Sequence, residues 1–494
     1  MLSRTNLTSM FIVTGLTGGL VLAAENVTTK STGPKHYQPT WESLKQYTVP
    51  QWYLDAKFGI FIHWGVYAVP AHDSEWYPHG MYVKDSPVFK WHREHFGPQS
   101  QFGYKDFIPK FTADKWDPDA WAELFVKSGA KYVVPVAEHH DGFPMYDCSF
   151  SQWTAAKRGP KRDILGELAK AIRKHGLRLC ASSHRAENWF YFAHSDEFDT
   201  TKSEYFGLYG KSHDPKAPTS KEFLDDWLAR TEEIVDKYQP DLMWFDSGIG
   251  RQEFEPYRRQ FAAYYYNKAA EWGREVVINY KHDAFPEDAA VLDIERGKLD
   301  DLRPFFWQTD TSVDKKSWGY IQDPKYKTVN ELIGDLVDIV SKNGCLLLNI
   351  GPRSDGTIPD EQQKILLDIG QWLAVNGEAI YGTRPWKIYG EGPTQIKAGY
   401  FAEKEYKPFT AQDIRFTTKG DALYAICMDW PRDPVRVRSL STLLPLCRQK
   451  VADVQLIGST EKLKWSHGED GLTINPPARK PCEHAFVFKI TFAK

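Results

Sequence analysis

Residues 241–250 read DLMWFDSGIG: an apolar run, Leu242 to Phe245, a single carboxylate at Asp246, then Ser247 and two glycines, Gly248 and Gly250. Four consecutive apolar residues bounded by turn formers read as a strand buried on both faces, the kind found in parallel sheets covered by helices. The glycines mark a tight turn. An acid where a buried strand meets a turn can be a metal ligand, a salt-bridge partner, a turn cap, a general base or a nucleophile.

The same strand pattern recurs on both sides of this stretch. KFGIFIHWG (57–65), AKYVVPVAEHH (130–140), LRLCASSH (177–184), EVVINY (275–280) and CLLLNIGP (345–352) read as further buried strands. Amphipathic stretches such as DPDAWAELFVKSG, DILGELAKAIRKHG, SKEFLDDWLARTEEIVDKY and TVNELIGDLVDIVSKNG lie between them, with apolar residues three and four apart. Strand and helix alternate over several hundred residues with no linker, which predicts an α/β fold, a (β/α)8-like TIM barrel, rather than two α/β domains. Several of these strands end in polar or ionisable residues: His63, Glu138 with His139 and His140, His184, Asp246 and Asn349. In such barrels the C-terminal strand ends surround one mouth and carry the chemistry.

From about residue 388 the pattern changes to short alternating segments separated by Gly, Asp and Pro, among them DIRFTTKGDALYAICMDW and HAFVFKITF. This predicts a C-terminal antiparallel β-sandwich packed on the barrel. The start has Arg4 in a short polar lead, an apolar stretch over 10–22 and small residues at Ala23 and Ala24, which reads as a secretory signal peptide. An uncleaved N-terminal anchor is the alternative. The expected division is a signal peptide at 1–24, a barrel at 25–387 and a sandwich at 388–494, with a secreted or periplasmic location and no membrane span once the signal is removed.

Composition narrows the partners. The 494 residues carry a formal net charge of −3, so no broad basic field invites nucleic acid. With 18 Trp and 25 Tyr, aromatic residues reach 14%, a share suited to covering apolar sugar faces, although large cores collect them too. The six cysteines show neither a CxxC pair nor metal-ligand spacing. A homo-oligomer stays open.

Candidate chemistry gathers on or just after the strands: histidines (His63, His139, His140), indoles (Trp64, Trp76, Trp244) and carboxylates (Glu75, Glu287, Asp293, Glu295) beside Asp246. Aromatic walls with imidazole and carboxylate groups suit a pyranose and its hydroxyls. One ionised and one protonated carboxyl group are the minimum for breaking a glycosidic bond. A metal at His139, His140 and Asp141 is disfavoured, because adjacent residues on a strand end point to opposite faces. No metal or cofactor is expected.

Taken together, KFGIFIHWGVYAVPAHDSEWYPHGMY, AEHHDGFPMYDCSFSQWTAAKRGPKRDILGEL, DLMWFDSG, SWGY and LLLNIGPRSDGTIPDEQ resemble the α-L-fucosidases of glycoside hydrolase family 29, over roughly residues 41–386. The resemblance implies a retaining exo-glycosidase that removes terminal α-L-fucose from a fucosylated oligosaccharide or polysaccharide by double displacement. It places the nucleophile on Asp246 and substrate contacts on Trp244, His63, His139, His140, Glu75, Trp76, Lys281 and the fucose-covering Trp318. The general acid/base falls on Glu295 of LDIERG, with Glu287 and Asp293 as alternatives. In two places the chain departs from some relatives: CASSHRAENW offers Ser183, His184, Arg185 and Glu187 where they carry a tyrosine, and Lys281 stands where they carry an arginine. A non-catalytic fucose-binding lectin would lack one carboxylate, and both are present. An exo-glycosidase for galactose-configured sugars is the remaining alternative.

Overall fold

Eight parallel strands close into a barrel in the computed structural model, which describes residues 36–214, 216–405 and 407–493. The leader expected at 1–24 lies outside these residues. The strands are β1 (Phe58–Ile62), β2 (Tyr132–Glu138), β3 (Arg178–Leu179 continued by Ala181–Ser183), β4 (Leu242–Phe245), β5 (Val277–Tyr280), β6 (Val291–Asp293), β7 (Trp307–Ser312) and β8 (Gly344–Ile350). Closure comes from β1, which pairs with β2 through Gly59↔Tyr132 and with β8 through Phe58↔Leu346. At Gly59 an added Cβ would lie 2.4 Å from the Tyr132 ring, so only glycine lets that ring cross the barrel interior. Six strands match the apolar runs read from sequence. β6 and β7 do not, because β6 is three residues long and β7, WQTDTS, is polar.

Helices α1 (Pro118–Lys127), α2 (Ile164–Lys174), α3 (Lys221–Tyr238), α4 (Glu255–Glu271), α5 (Val329–Ser341) and α6 (Asp360–Asn376) pack around the barrel. Their starts are fixed by local chemistry: Asp117, Asp163, Ser220 and Thr328 each accept a hydrogen bond from a backbone N–H of the first turn. Glycines with positive φ, Gly129 and Gly176, follow α1 and α2. Among the described residues no α-helix lies between β5 and β6 or between β6 and β7, so residues 281–290 and 294–306 cross as loops. That gap is the barrel's departure from a regular (β/α)8 pattern.

The C-terminal part has strands β9 (Arg384–Glu391), β10 (Ile414–Lys419), β11 (Ala422–Cys427), β12 (Val435–Val437), β13 (Val451–Leu456), β14 (Trp465–Gly468), β15 (Gly471–Ile474) and β16 (Phe486–Phe492). They form a five-stranded antiparallel sheet, β9-β10-β11-β16-β13, and a three-stranded one, β12-β15-β14. β9 spans the 387/388 division read from the sequence pattern. Every residue of β11 is buried, because one face of its sheet packs on the second sheet and the other on the barrel helices. Polar contacts cross the same boundary: Arg415 Nε lies 2.6 Å from Asp338 Oδ1, and Trp372 Nε1 donates to the Ala485 carbonyl at 2.8 Å. All six cysteines are free thiols. No helix among the described residues is long and apolar enough to cross a membrane.

Candidate active site

Asp246 follows β4 directly and caps the short 3-10 turn Ser247–Gly250, its Oδ1 accepting the Ser247 N–H at 2.7 Å. The capping and chemical readings of this acid therefore coexist. Its other oxygen, Oδ2, lies 3.1 Å from His184 Nδ1 and 3.4 Å from His140 Nε2, the residues that follow β3 and β2. From the end of β5 the Lys281 ammonium reaches Asp246 Oδ1 at 3.3 Å and Glu295 Oε2 at 2.6 Å. Lys281 also lies 4.8 Å from the Trp244 ring centroid, a cation over an indole face.

These contacts fix the charges. Burial alone pushes the Asp246 carboxyl up, but the Lys281 ammonium, the His184 hydrogen bond and His140 outweigh it and hold Asp246 well below the usual carboxylate range. Burial works against the Lys281 cation too, yet Asp246, Asp310 and Glu295 raise it well above 10.5. The imidazoles go the other way: burial, then neighbouring rings, lowers His63 and His139 well below 6.5, and burial brings His184 to about 4 despite its bond to Asp246. Neutral imidazoles can both donate and accept, as a set of sugar hydroxyls requires.

The two alternatives for the second carboxylate lie elsewhere. Glu287 is on the surface, paired with Arg303. Asp293 is buried below the mouth, where Gln308 donates to its Oδ2, and its Oδ1 and Asp310 Oδ1 have no hydrogen-bond donor. The two buried carboxyl groups interact electrostatically. Burial, then Asp293, drives Asp310 well above 3.8, and burial also raises Asp293. Neighbouring buried carboxyl groups disfavour double ionisation, so the pair favours a protonated Asp310.

The remaining predicted residues line the same mouth. His63, after β1, pairs through Nδ1 with Asn349 Oδ1 of β8 at 2.7 Å, and Asn349 Nδ2 donates to the Trp318 carbonyl at 2.7 Å. The Trp318 ring lies 5.1 Å from the His63 ring. Glu75 holds the Trp318 loop, its Oε2 accepting the Trp318 N–H at 2.8 Å and the Ser317 hydroxyl at 3.1 Å. Burial raises its carboxyl. His139 sits among His63, His140 and His184, with its buried Nδ1 lacking a partner among the described residues. Trp76, 39% exposed, rests on His140 and Tyr191 at the rim.

Trp64 is not in this group. It packs on Phe111, Trp116 and Trp121, and its Nε1 donates to the Arg353 carbonyl, so it is a core indole behind the barrel wall. Of the CASSHRAENW residues, His184 reaches Asp246, whereas Arg185 pairs with Glu138 at 2.8 Å and Asp226 at 2.7 Å in a buried ion network. Two groups, His63 with His139 and His184, and His140 with His184 and Asp246, bring potential metal-ligand atoms within 4.8 Å of one another. Both His184 nitrogens are already engaged, Nδ1 with Asp246 and Nε2 with Ser182 at 3.0 Å, so hydrogen bonding accounts for the arrangement. Sequence reasoning missed Asp310 and the C-terminal residues Tyr400 and Glu403 near the mouth. Asp310 sits in the polar strand that no apolar run announces, and the last two lie more than 100 residues from Glu295 in the chain.

A parallel barrel that brings two strand-end carboxylates onto one ammonium, beneath imidazoles and indoles, has the equipment of a glycoside hydrolase. Residues 23–378 match the α-L-fucosidase family and residues 407–491 match the α-L-fucosidase C-terminal domain. The chain is 34% identical to tissue α-L-fucosidase of Homo sapiens and 33% identical to that of Rattus norvegicus, each over 96% of both chains. An α-fucosidase of Thermotoga maritima, solved in complex with fucose, superposes with a TM-score of 0.74 at 32% identity, covering 92% of this chain and 99% of that one. The chain belongs to the α-L-fucosidase family and is an enzyme of that hydrolase class.

Proposed function

We propose that the chain is a retaining exo-α-L-fucosidase acting on fucosylated glycans, with Asp246 as nucleophile and Glu295 as general acid/base. The observation that carries this is the shared ammonium. With Asp246 Oδ1 and Glu295 Oε2 at 3.3 Å and 2.6 Å from one nitrogen, the two oxygens are no farther apart than the sum of those contacts, about 5.9 Å. Retaining pairs sit at about 5–5.5 Å, whereas inverting pairs need about 6.5–9.5 Å to admit a water. The arrangement supports direct attack by Asp246.

In the first step an Asp246 oxygen bonds to the anomeric carbon as the glycosidic C–O bond breaks, and the leaving oxygen takes the Glu295 proton. Glu295, now a carboxylate, then removes a proton from water whose oxygen displaces Asp246 from that carbon, releasing fucose. Asp246 loses its charge on forming the ester at the moment Glu295 gains one. Lys281 touches both, so it keeps a counter-ion throughout and favours neither step by leaving a charge unpaired. His63, His139, His140, Glu75, Trp76, Trp244 and Trp318 would hold the sugar. The chain's start supports export, an inference that cell fractionation with N-terminal sequencing of the mature protein tests.

Incubation with a 2-deoxy-2-fluoro-fucosyl fluoride, followed by peptide mass mapping, is the test. A stable adduct on Asp246 is expected, and a separate run with an aryl α-L-fucoside should give α-fucose as the first product seen by NMR. Labelling of another residue, or β-fucose as first product, overturns the reading.

A further inference from the structure

Glu295 lies in the irregular residues 294–306, one of the two crossings with no helix over it. A segment from the far end of the chain takes that place. Residues 399–405, in the connection between β9 and β10, run along it in a short backbone ladder. Lys298 N donates to Gly399 O at 3.3 Å and Gly399 N to Lys298 O at 2.9 Å. Phe401 N donates to Glu295 O at 2.9 Å and Glu403 N to Arg296 O at 3.1 Å. Arg296 and Phe401 both have positive φ, 44° and 56°, a conformation that non-glycine residues hold only where the surroundings impose it.

Two side chains extend the grip. Tyr400 Oη accepts the His282 N–H at 2.7 Å and donates to the Asp293 carbonyl at 3.1 Å, while its ring stacks on His282. One hydroxyl thus ties the Lys281–His282 corner to the strand end that leads into Glu295. Glu403 accepts from Arg296 Nη1 at 2.7 Å and from Lys327 Nζ and Thr311 Oγ1, both at 2.5 Å. The Arg296 guanidinium, so held, lies 4.6 Å from the Trp318 ring centroid. Glu403 therefore acts on both neighbours of the reaction centre, the Glu295 backbone through Arg296 and the sugar-covering indole through the same guanidinium.

We propose that residues 399–405 are a positioning element for the proton donor, with Tyr400 and Glu403 holding Glu295 at the correct distance from Lys281 and the leaving-group oxygen. The proposal rests on Glu295 being that donor. A displaced carboxyl group a fraction of an ångström off line loses much of its effect on proton transfer while leaving the sugar pocket intact. The cost falls on substrates whose leaving group needs a proton.

Tyr400→Phe and Glu403→Gln, each in the full chain, should be assayed by kcat/KM on two α-L-fucosides, one with a dinitrophenyl leaving group and one with an unactivated phenyl leaving group. The expected result is a loss of about tenfold or more on the phenyl fucoside against about threefold or less on the dinitrophenyl one. Glu295→Gln calibrates the assay. If it shows that bias and the two strap variants lose activity equally on both substrates, or lose none, the positioning role is overturned while the proton-donor reading stands. If Glu295→Gln itself shows no bias, the proton-donor reading fails and the strap proposal fails with it. Circular dichroism and melting curves confirm folding, and Tyr400→Phe, which removes one hydroxyl, carries the test should Glu403→Gln not fold.

Discussion

Two carboxylate pairs sit in the same barrel and have been given opposite states by their neighbours. Asp246 and Glu295 at the mouth share the Lys281 ammonium, at 3.3 Å and 2.6 Å. Asp293 and Asp310, buried below them, have Lys281 no nearer than 3.8 Å from Asp310 and two oxygens that face no donor. In the upper pair Asp246 is held as a carboxylate by the cation and the imidazoles around it. In the lower pair burial and mutual repulsion favour the protonated form of Asp310. All four are carboxylic acids, so the difference teaches that charge in this site is set by which strand end brings the lysine.

The largest expected effect is on the upper pair. Asp246→Gly should lower kcat on an aryl α-L-fucoside by roughly 10⁴-fold or more with the circular dichroism spectrum unchanged, as expected for a group in the covalent step. Activity within tenfold of the parent would remove Asp246 from the chemistry. Lys281→Met strips the cation that separates the pairs, and should lower kcat by roughly 10²–10³-fold. It should also destabilise the fold by about 3 kcal/mol or more, because Asp246 loses its principal countercharge in a buried site. Urea melts and steady-state kinetics on one preparation check both figures.

A pH series sharpens the comparison at the imidazoles. His184 is lowered to about 4 in the folded chain, and His63 and His139 lie well below 6.5, so the unfolded chain binds more protons as pH drops below 6.5. Stability from these groups is therefore full above about pH 6.5 and falls as pH approaches 4. Because raised carboxyl groups such as Glu75 and Asp310 act in the opposite sense, the parent should lose more melting temperature over that interval than His184→Asn, and parallel curves would mean that the His184 imidazole is not held neutral. The smallest effect is expected at the lower pair. Asp310→Asn replaces a carboxyl group favoured in its neutral form by a neutral amide, so stability should change by about 1 kcal/mol or less. A gain of several kcal/mol would reveal two charges that had been repelling each other.

Much of this was legible beforehand, and the reason is periodicity. Leu242–Phe245 and Tyr132–Glu138 are buried along their whole length, so their strand character was written in consecutive apolar letters. β7 escaped because its inward side chains, Gln308 and Asp310, are polar, so no apolar run marks it. At the site, Asp246, His63, His139 and His140 could be read as strand-end residues. Trp64 was grouped with the other indoles because a letter shows no direction, and its ring points into the wall of the barrel.

The sequence by itself determined the alternation of strand and helix, the change to short strands near the C-terminus and the identity of the acid that ends β4, since all three are properties of neighbours along the chain. Tertiary structure alone decided that Lys281 bridges Asp246 and Glu295, that Asp293 and Asp310 meet, and that Tyr400 and Glu403 return to the mouth from more than 100 residues away. Charge and hydrogen bonding act over a few ångströms of space, and barrel closure, not spacing in the chain, fixes those distances.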